Sequence, residues 1–166
     1  MKLLWAPWRI KYIRANKEKE CFLCKKIKDT KEKDKTNFIL ERGKYCFVIM
    51  NTYPYNNGHI LVSPNRHIFS LKELTNNEKI ELFNLCSKWI EIIKIALNAE
   101  GFNIGINLEK VAGAGLPGHL HIHIVPRWIG DTNFMPSIAE TKVISESLED
   151  TYSKLLNVYK TEHYEK

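Results

Sequence analysis

A chain of 166 residues with 44% hydrophobic and 27% charged residues has the size and composition of a single globular domain built round one core. Its apolar runs fall well short of the roughly 18 residues a membrane span needs, and the segment MKLLWAPWRI carries charges where a signal peptide would be apolar, so no membrane association and a cytoplasmic location are expected. The formal charge of +6 favours anionic partners, nucleotides among them, without pointing to nucleic acid.

Taken in chain order, residues 5–14 place Trp5, Trp8 and Tyr12 around Pro7 and read as a docked aromatic arm. Residues 17–35 are rich in Lys and Glu, and their mixed signs predict a solvated turn or short helix rather than a charged tail. Within them, Cys21 and Cys24 have the two-residue spacing that aims two thiolates at one ion, half of a tetrahedral site. A cytosolic chain of this size is not expected to form a disulfide framework, and Cys46 and Cys86 read as small buried hydrophobes. Strands are predicted at 38–41, 45–50 and 59–63, with the turn-rich NTYPYNNGH between the last two. Residues 75–100 give the clearest helix, opened by a Thr75/Glu78 capping box and followed by Gly101. Its wide apolar face, Ile80, Phe83, Leu85, Trp89, Ile92, Ile93 and Leu97, reads as core. A strand at 102–108 leads into VAGAGLPG, and 141–160 is helical again. There are no internal repeats; the chain divides into an arm with the CxxC segment (1–36), a core (37–140) and a helical tail (141–166).

Three of the six histidines stand at alternate positions in GHLHIHIVPRW: His119, His121 and His123. Alternation predicts a strand with the imidazoles on one face and Leu120, Ile122 and Ile124 on the other, turned to a core. Successive rings on such a face are about 6.6 Å apart, too far for one tetrahedral ion with bonds near ~2.1 Å to take all three. The row is therefore expected to divide its labour along an extended ligand. Just before it, Gly113, Ala114 and Gly115 form a small-residue turn whose backbone N–H groups suit phosphate oxygens. It is not a P-loop, since no Gly-Lys-Ser/Thr follows and the next element is a strand.

H-L-H-I-H-I-V resembles the signature of the histidine triad superfamily of nucleotide hydrolases and transferases, and NTYPYNNGHILVSP resembles that family's first loop and strand. The arm LWAPWRIKYI, the loop AGAGLPGHLH and PRWIGDTNFMP resemble the diadenosine tetraphosphate phosphorylase branch of its bacterial members. The resemblance implies an α+β single domain: an antiparallel sheet of about five strands with the long helix packed on one face. It implies His121 as the nucleophile, attacking phosphorus to form a nucleotidyl-histidine, with the other ring nitrogen donating to a backbone carbonyl. It further implies that His123 stabilises phosphate oxygens, that Asn107 reaches the reacting phosphate, that Asn51 contacts ribose and that His59 supports a triad ring. Cys21, Cys24, His67 and His119 resemble the zinc quartet of metal-binding members, a structural site; if the cysteines stay free, His119 is left to act on the leaving group. Phe47 and Ile49 are candidates to wall the base, and Arg127 to steer phosphate.

One departure stands out. Where many relatives carry Gln-Ser or Gln-Thr before the triad, this chain has Gly115 and Leu116, so phosphate contact falls to backbone and histidines. The small loop leaves room for inorganic phosphate as acceptor, and the resemblance favours phosphorolysis of diadenosine tetraphosphate to ATP and ADP. The alternatives are a hydrolase of dinucleoside polyphosphates or nucleoside phosphoramidates and, more remotely, a non-catalytic zinc and nucleic-acid-binding module. Expected partners are an adenine nucleotide or dinucleotide, phosphate and a second copy of the chain in a homodimer or higher oligomer.

Overall fold

The computed structural model of the protein describes residues 21–112, 118–132 and 143–164. The aromatic arm, Gly113, Ala114, Gly115 and Leu116 lie outside them, as does the end of PRWIGDTNFMP. Five strands form one antiparallel sheet: β1 Ile39–Arg42, β2 Cys46–Met50, β3 Ile60–Pro64, β4 Gly101–Gly105 and β5 Ile122–Arg127, in the order β1-β2-β3-β5-β4. Four α-helices are described: α1 Phe22–Lys28, α2 Asp34–Asn37, α3 Asn76–Leu97 and α4 Leu148–Tyr164. None of them is long and apolar enough to cross a membrane.

Strand alternation sorts the sheet into two faces. Cys46, Val48, Met50, Ile60, Val62, Ile122 and Ile124 join α3 and α4 in the larger core cluster, with Leu120. Phe47, Ile49 and Leu61 point the other way and form a smaller cluster with Ile39 and Leu23 of α1. Helix α1 therefore covers part of the face on which His123, the register partner of Leu61, must lie.

Helix α3 opens with the expected reciprocal cap: Glu78 N–H donates to Thr75 Oγ1 at 3.3 Å, and Thr75 N–H to Glu78 Oε2 at 2.8 Å. It stops at Leu97, with Asn98 in the left-handed conformation (φ 51°), rather than running to Gly101, which starts β4. The predicted apolar face is corrected in part. Leu85, Trp89, Ile92 and Ile93 are buried, but Ile80 and Phe83 are 61% and 69% exposed, while Leu82 and Cys86 take core places. At about 100° per residue, Ile80 lies nearly opposite the buried stripe and Phe83 about a third of a turn away. The Cys46 and Cys86 thiols are both buried, which pushes them up to about 12 and about 11, as inert hydrophobes should be. The C-terminal helix begins at Leu148, seven residues later than 141, and docks through Trp89–Tyr159 stacking at 5.3 Å and the Tyr152 hydroxyl donating to Ile39 O at 3.0 Å.

Candidate active site

The histidine row is only partly strand. Of the three, His123 alone is inside β5; His119 and His121 sit in the lead-in ahead of Ile122. The reason is a change of partners. Leu120 N–H donates to Ile68 O at 2.6 Å and Leu120 O accepts from Ser63 Oγ at 2.8 Å, so the lead-in leaves the β3 ladder. Gly118, at φ +104°, turns the chain into this path in a conformation that side-chain-bearing residues rarely adopt. Leu120, Ile122 and Ile124 still face the core, all at most 5% exposed.

The turn gives His119 a different neighbourhood from the others. Its Nε2–H donates to Pro64 O at 2.9 Å, which leaves the Nδ1 lone pair facing Cys21 Sγ at 3.2 Å and Cys24 Sγ at 3.4 Å. His67 Nδ1 lies 3.3 Å from Cys24 Sγ. The ligand atoms of Cys21, Cys24, His67 and His119 all fall within 4.8 Å of one another. Bonds of ~2.3 Å to sulfur and ~2.0–2.1 Å to nitrogen, set tetrahedrally, put S and N about 3.6 Å apart, so this donor set fits zinc. The Pro64 carbonyl supplies the outer contact that such a histidine ligand needs.

His121 is 9% exposed, and its Nδ1–H donates to the His119 carbonyl at 2.8 Å. The proton on Nδ1 leaves a lone pair on Nε2. A second chain of contacts sets the neighbouring ring. Tyr55 N–H donates to His59 Nδ1 at 3.0 Å, and the Asn51 side-chain amide reaches the same nitrogen at 3.3 Å. A nitrogen receiving N–H donors is unprotonated, so neutral His59 carries its proton on Nε2. That proton meets His123 Nδ1 at 3.0 Å, which places the His123 proton on Nε2. Among the described residues this buried Nε2–H has no partner. Burial first, then His123 and His121 nearby, push His59 down to about 3; burial and His121 push His123 down to about 4. Burial likewise lowers His119. Neutral His59 and His123 are what the network requires.

The remaining sequence candidates fall unevenly. Asn51 turns its carbonyl oxygen to the Tyr53 N–H at 2.9 Å. Asn107 is half-buried, two residues beyond Gly105, the register partner of His123. Phe47 and Ile49 are fully buried beneath Leu23 and Ile39, so they offer a base no open surface. Arg127 is committed elsewhere: it chelates Asp131 at 2.6 and 2.8 Å and donates to Asn103 Oδ1 at 2.7 Å, an ion-pair partner rather than a phosphate guide. This pairing holds the Asp131 carboxyl far below the usual range.

Sequence reasoning missed Tyr55 and Asn56. The first acts through its backbone N–H, which no residue-type pattern reveals. The second, 7% exposed, donates to Pro126 O at 2.9 Å and Asp131 Oδ2 at 2.8 Å, pinning the 51–59 loop to the end of β5. A buried Asn in a turn-rich stretch was the available signal.

Comparison with known proteins adds an independent line. The HIT domain model matches residues 31–128. A Mycobacterium tuberculosis protein named AP-4-A phosphorylase is 36% identical over 157 residues, 91% of this chain and 80% of that protein. The Schizosaccharomyces pombe bis(5'-nucleosyl)-tetraphosphatase (asymmetrical) is 32% identical over 123 residues, 74% of this chain and 64% of that one. A Zn-bound histidine triad family protein from Mycobacterium smegmatis shares the fold, with a TM-score of 0.70 at 21% identity over 89% of this chain and 98% of that one.

Proposed function

From the premise that this chain belongs to the HIT domain family, and is a nucleotide-processing enzyme, we propose that it cleaves dinucleoside polyphosphates such as diadenosine tetraphosphate by nucleotidyl transfer, with inorganic phosphate as acceptor. The observation that carries the reading is the pair of opposed tautomers. His121 presents a lone pair on Nε2, and His123 beside it, with ring centroids 4.8 Å apart, presents an N–H. His121 Nε2 attacks the α-phosphorus; the bond to the bridging oxygen breaks, and ATP leaves. His123 Nε2–H donates to the phosphate oxygens that gain charge. Phosphate then attacks the same phosphorus, the P–N bond breaks, and ADP departs with His121 restored. Asn51 and Asn107, with the backbone of Gly113, Ala114 and Gly115, are the groups assigned to ribose and phosphate.

Zinc on Cys21, Cys24, His67 and His119 is read as structural, because four protein ligands leave no open position for water or substrate. His119 is thereby a ligand rather than an acid toward the leaving group, and its carbonyl orients His121. Reduced thiols at such a site belong in a cytoplasm-like compartment. A homodimer is supported by exposed Ile80 and Phe83 on α3 and exposed Ile104 on the edge strand β4.

The test is incubation with diadenosine tetraphosphate, with and without millimolar phosphate. ATP plus ADP, formed faster with phosphate, is the expected result. The hydrolase reading rests on the second relative's name and is adopted instead if AMP plus ATP are the only products.

A further inference from the structure

Tyr55 has a side chain that the proposed chemistry leaves unused. Its ring packs on the two relay histidines, with centroids 4.8 Å from His59 at 32° and 5.8 Å from His123 at 24°. Yet Tyr55 is 56% exposed. One face of the ring therefore lies on the imidazoles while much of the rest is open to solvent. The ring is also held in place before any ligand arrives. The Tyr55 backbone N–H is bonded to His59, Pro54 fixes φ at the position just before Tyr55, and Asn56 ties the loop to Pro126 and Asp131. A fixed aromatic surface loses little entropy on binding, and every nucleobase has a face that can stack on it. Phe47, the aromatic residue expected to serve a base, is closed off beneath Leu23.

Position decides which base. With the α-phosphate at His121 and phosphate oxygens on His123, as proposed, a polyphosphate led past His123 reaches Tyr55, whose ring packs against that histidine. Resting on the proposed dinucleotide reading, we infer that Tyr55 is a specificity residue: it stacks the base of the departing nucleotide and so favours substrates with a nucleoside at both ends of the polyphosphate.

Two ligands separate this from a general effect on the site. Adenosine tetraphosphate and diadenosine tetraphosphate share one adenosine and the phosphate chain; only the second carries the other base. Their dissociation constants are measured by calorimetry on the full zinc-loaded chain bearing His121→Ala, which prevents turnover, with and without Tyr55→Ala or Tyr55→Phe. The alanine variant should weaken diadenosine tetraphosphate about tenfold, within the range of base–aromatic stacking, and adenosine tetraphosphate less than twofold. The phenylalanine variant should bind both as the tyrosine protein does. Equal losses for the two ligands would show that Tyr55 only supports the histidines, and no loss for either would show that no base rests there; each overturns the inference. If the unaltered chain leaves diadenosine tetraphosphate uncleaved with and without phosphate, the dinucleotide reading itself fails, a result distinct from parallel losses in a chain that does cleave it.

Discussion

The two faces of the central sheet are built from the same strands, yet they do opposite work. Ile122 and Ile124 send their side chains into a core closed by α3 and α4, and both are at most 5% exposed. His123, between them, sends its ring to the other side, where His59, Tyr55 and His121 surround it. The apolar face is held by area removed from water, which any well-fitting branched side chain supplies. The histidine face is held by directional contacts that fix where each proton sits, and such a network tolerates few substitutions. Stability and chemistry should therefore separate by face, one residue apart.

The sharpest break of that comparison is at its chemical centre. His121→Ala should lower kcat by a factor of ~10³ or more, since it removes the route rather than the binding energy. The fold should survive, because the ring is held by one hydrogen bond to its own lead-in. Turnover of the alanine variant near the unaltered rate would take His121 out of the mechanism. On the opposite face, Ile124→Ala should cost about 3 kcal/mol of stability by leaving a cavity, read from urea unfolding, while the folded fraction keeps its kcat. A large kcat loss there would mean the faces are not separable.

The thiol end of the row gives the next effect. Free zinc at a hundredfold excess over its dissociation constant should stabilise the chain by about 2.7 kcal/mol over chelator-treated protein. Cys24→Ser should abolish that difference and reduce bound zinc below one per chain. Unchanged stoichiometry in the serine variant would remove Cys24 from the site. Since His119 is both a proposed ligand and the acceptor for His121, metal removal should also slow turnover.

These residues differ in how readable they were. Alternation in H-L-H-I-H-I and the spacing of Cys21 and Cys24 are local, so pattern alone brought them forward. His59 and His67 come from distant stretches and entered through resemblance, because nothing local distinguishes a histidine that ends up beside another. The strand starts later than the alternation predicts for a related reason: Leu120 pairs with Ile68 and Ser63, and no pattern within the triad announces those partners. Ile80 and Phe83 depart from the predicted core face because an apolar residue on a helix is core only where the sheet lies, and the sheet is set by contacts far along the chain. Tyr55 was invisible because its contribution to the tautomer chain is a backbone N–H.

The smallest effect tests whether the histidine face is a stability cost in acid. His59 is held down to about 3 and His123 to about 4 in the folded protein, against the ordinary 6.5. Both are depressed, so in the window between about pH 6.5 and pH 4 the unfolded chain binds protons that the folded chain refuses, and stability falls as pH falls through it. Above that window neither form is charged and the histidines contribute no slope. A single such group costs on the order of 1–2 kcal/mol by pH 5. The depressed carboxyls stay quiet over most of this range: the Arg66 partner keeps Glu78 down to about 2, and the Asp131 carboxyl lies lower still, while lowered His119 adds to the loss equally in both proteins. His59→Gln can still accept from the Tyr55 N–H but takes up no proton. Comparing urea unfolding at pH 7 and pH 5, the unaltered protein should lose about 1–2 kcal/mol more than the variant. Release of zinc in acid affects both proteins alike and cancels in that difference. An identical loss in the two would mean that His59 is not held neutral by the fold, and the chain of tautomers running from Tyr55 through His59 to His123 would have to be abandoned.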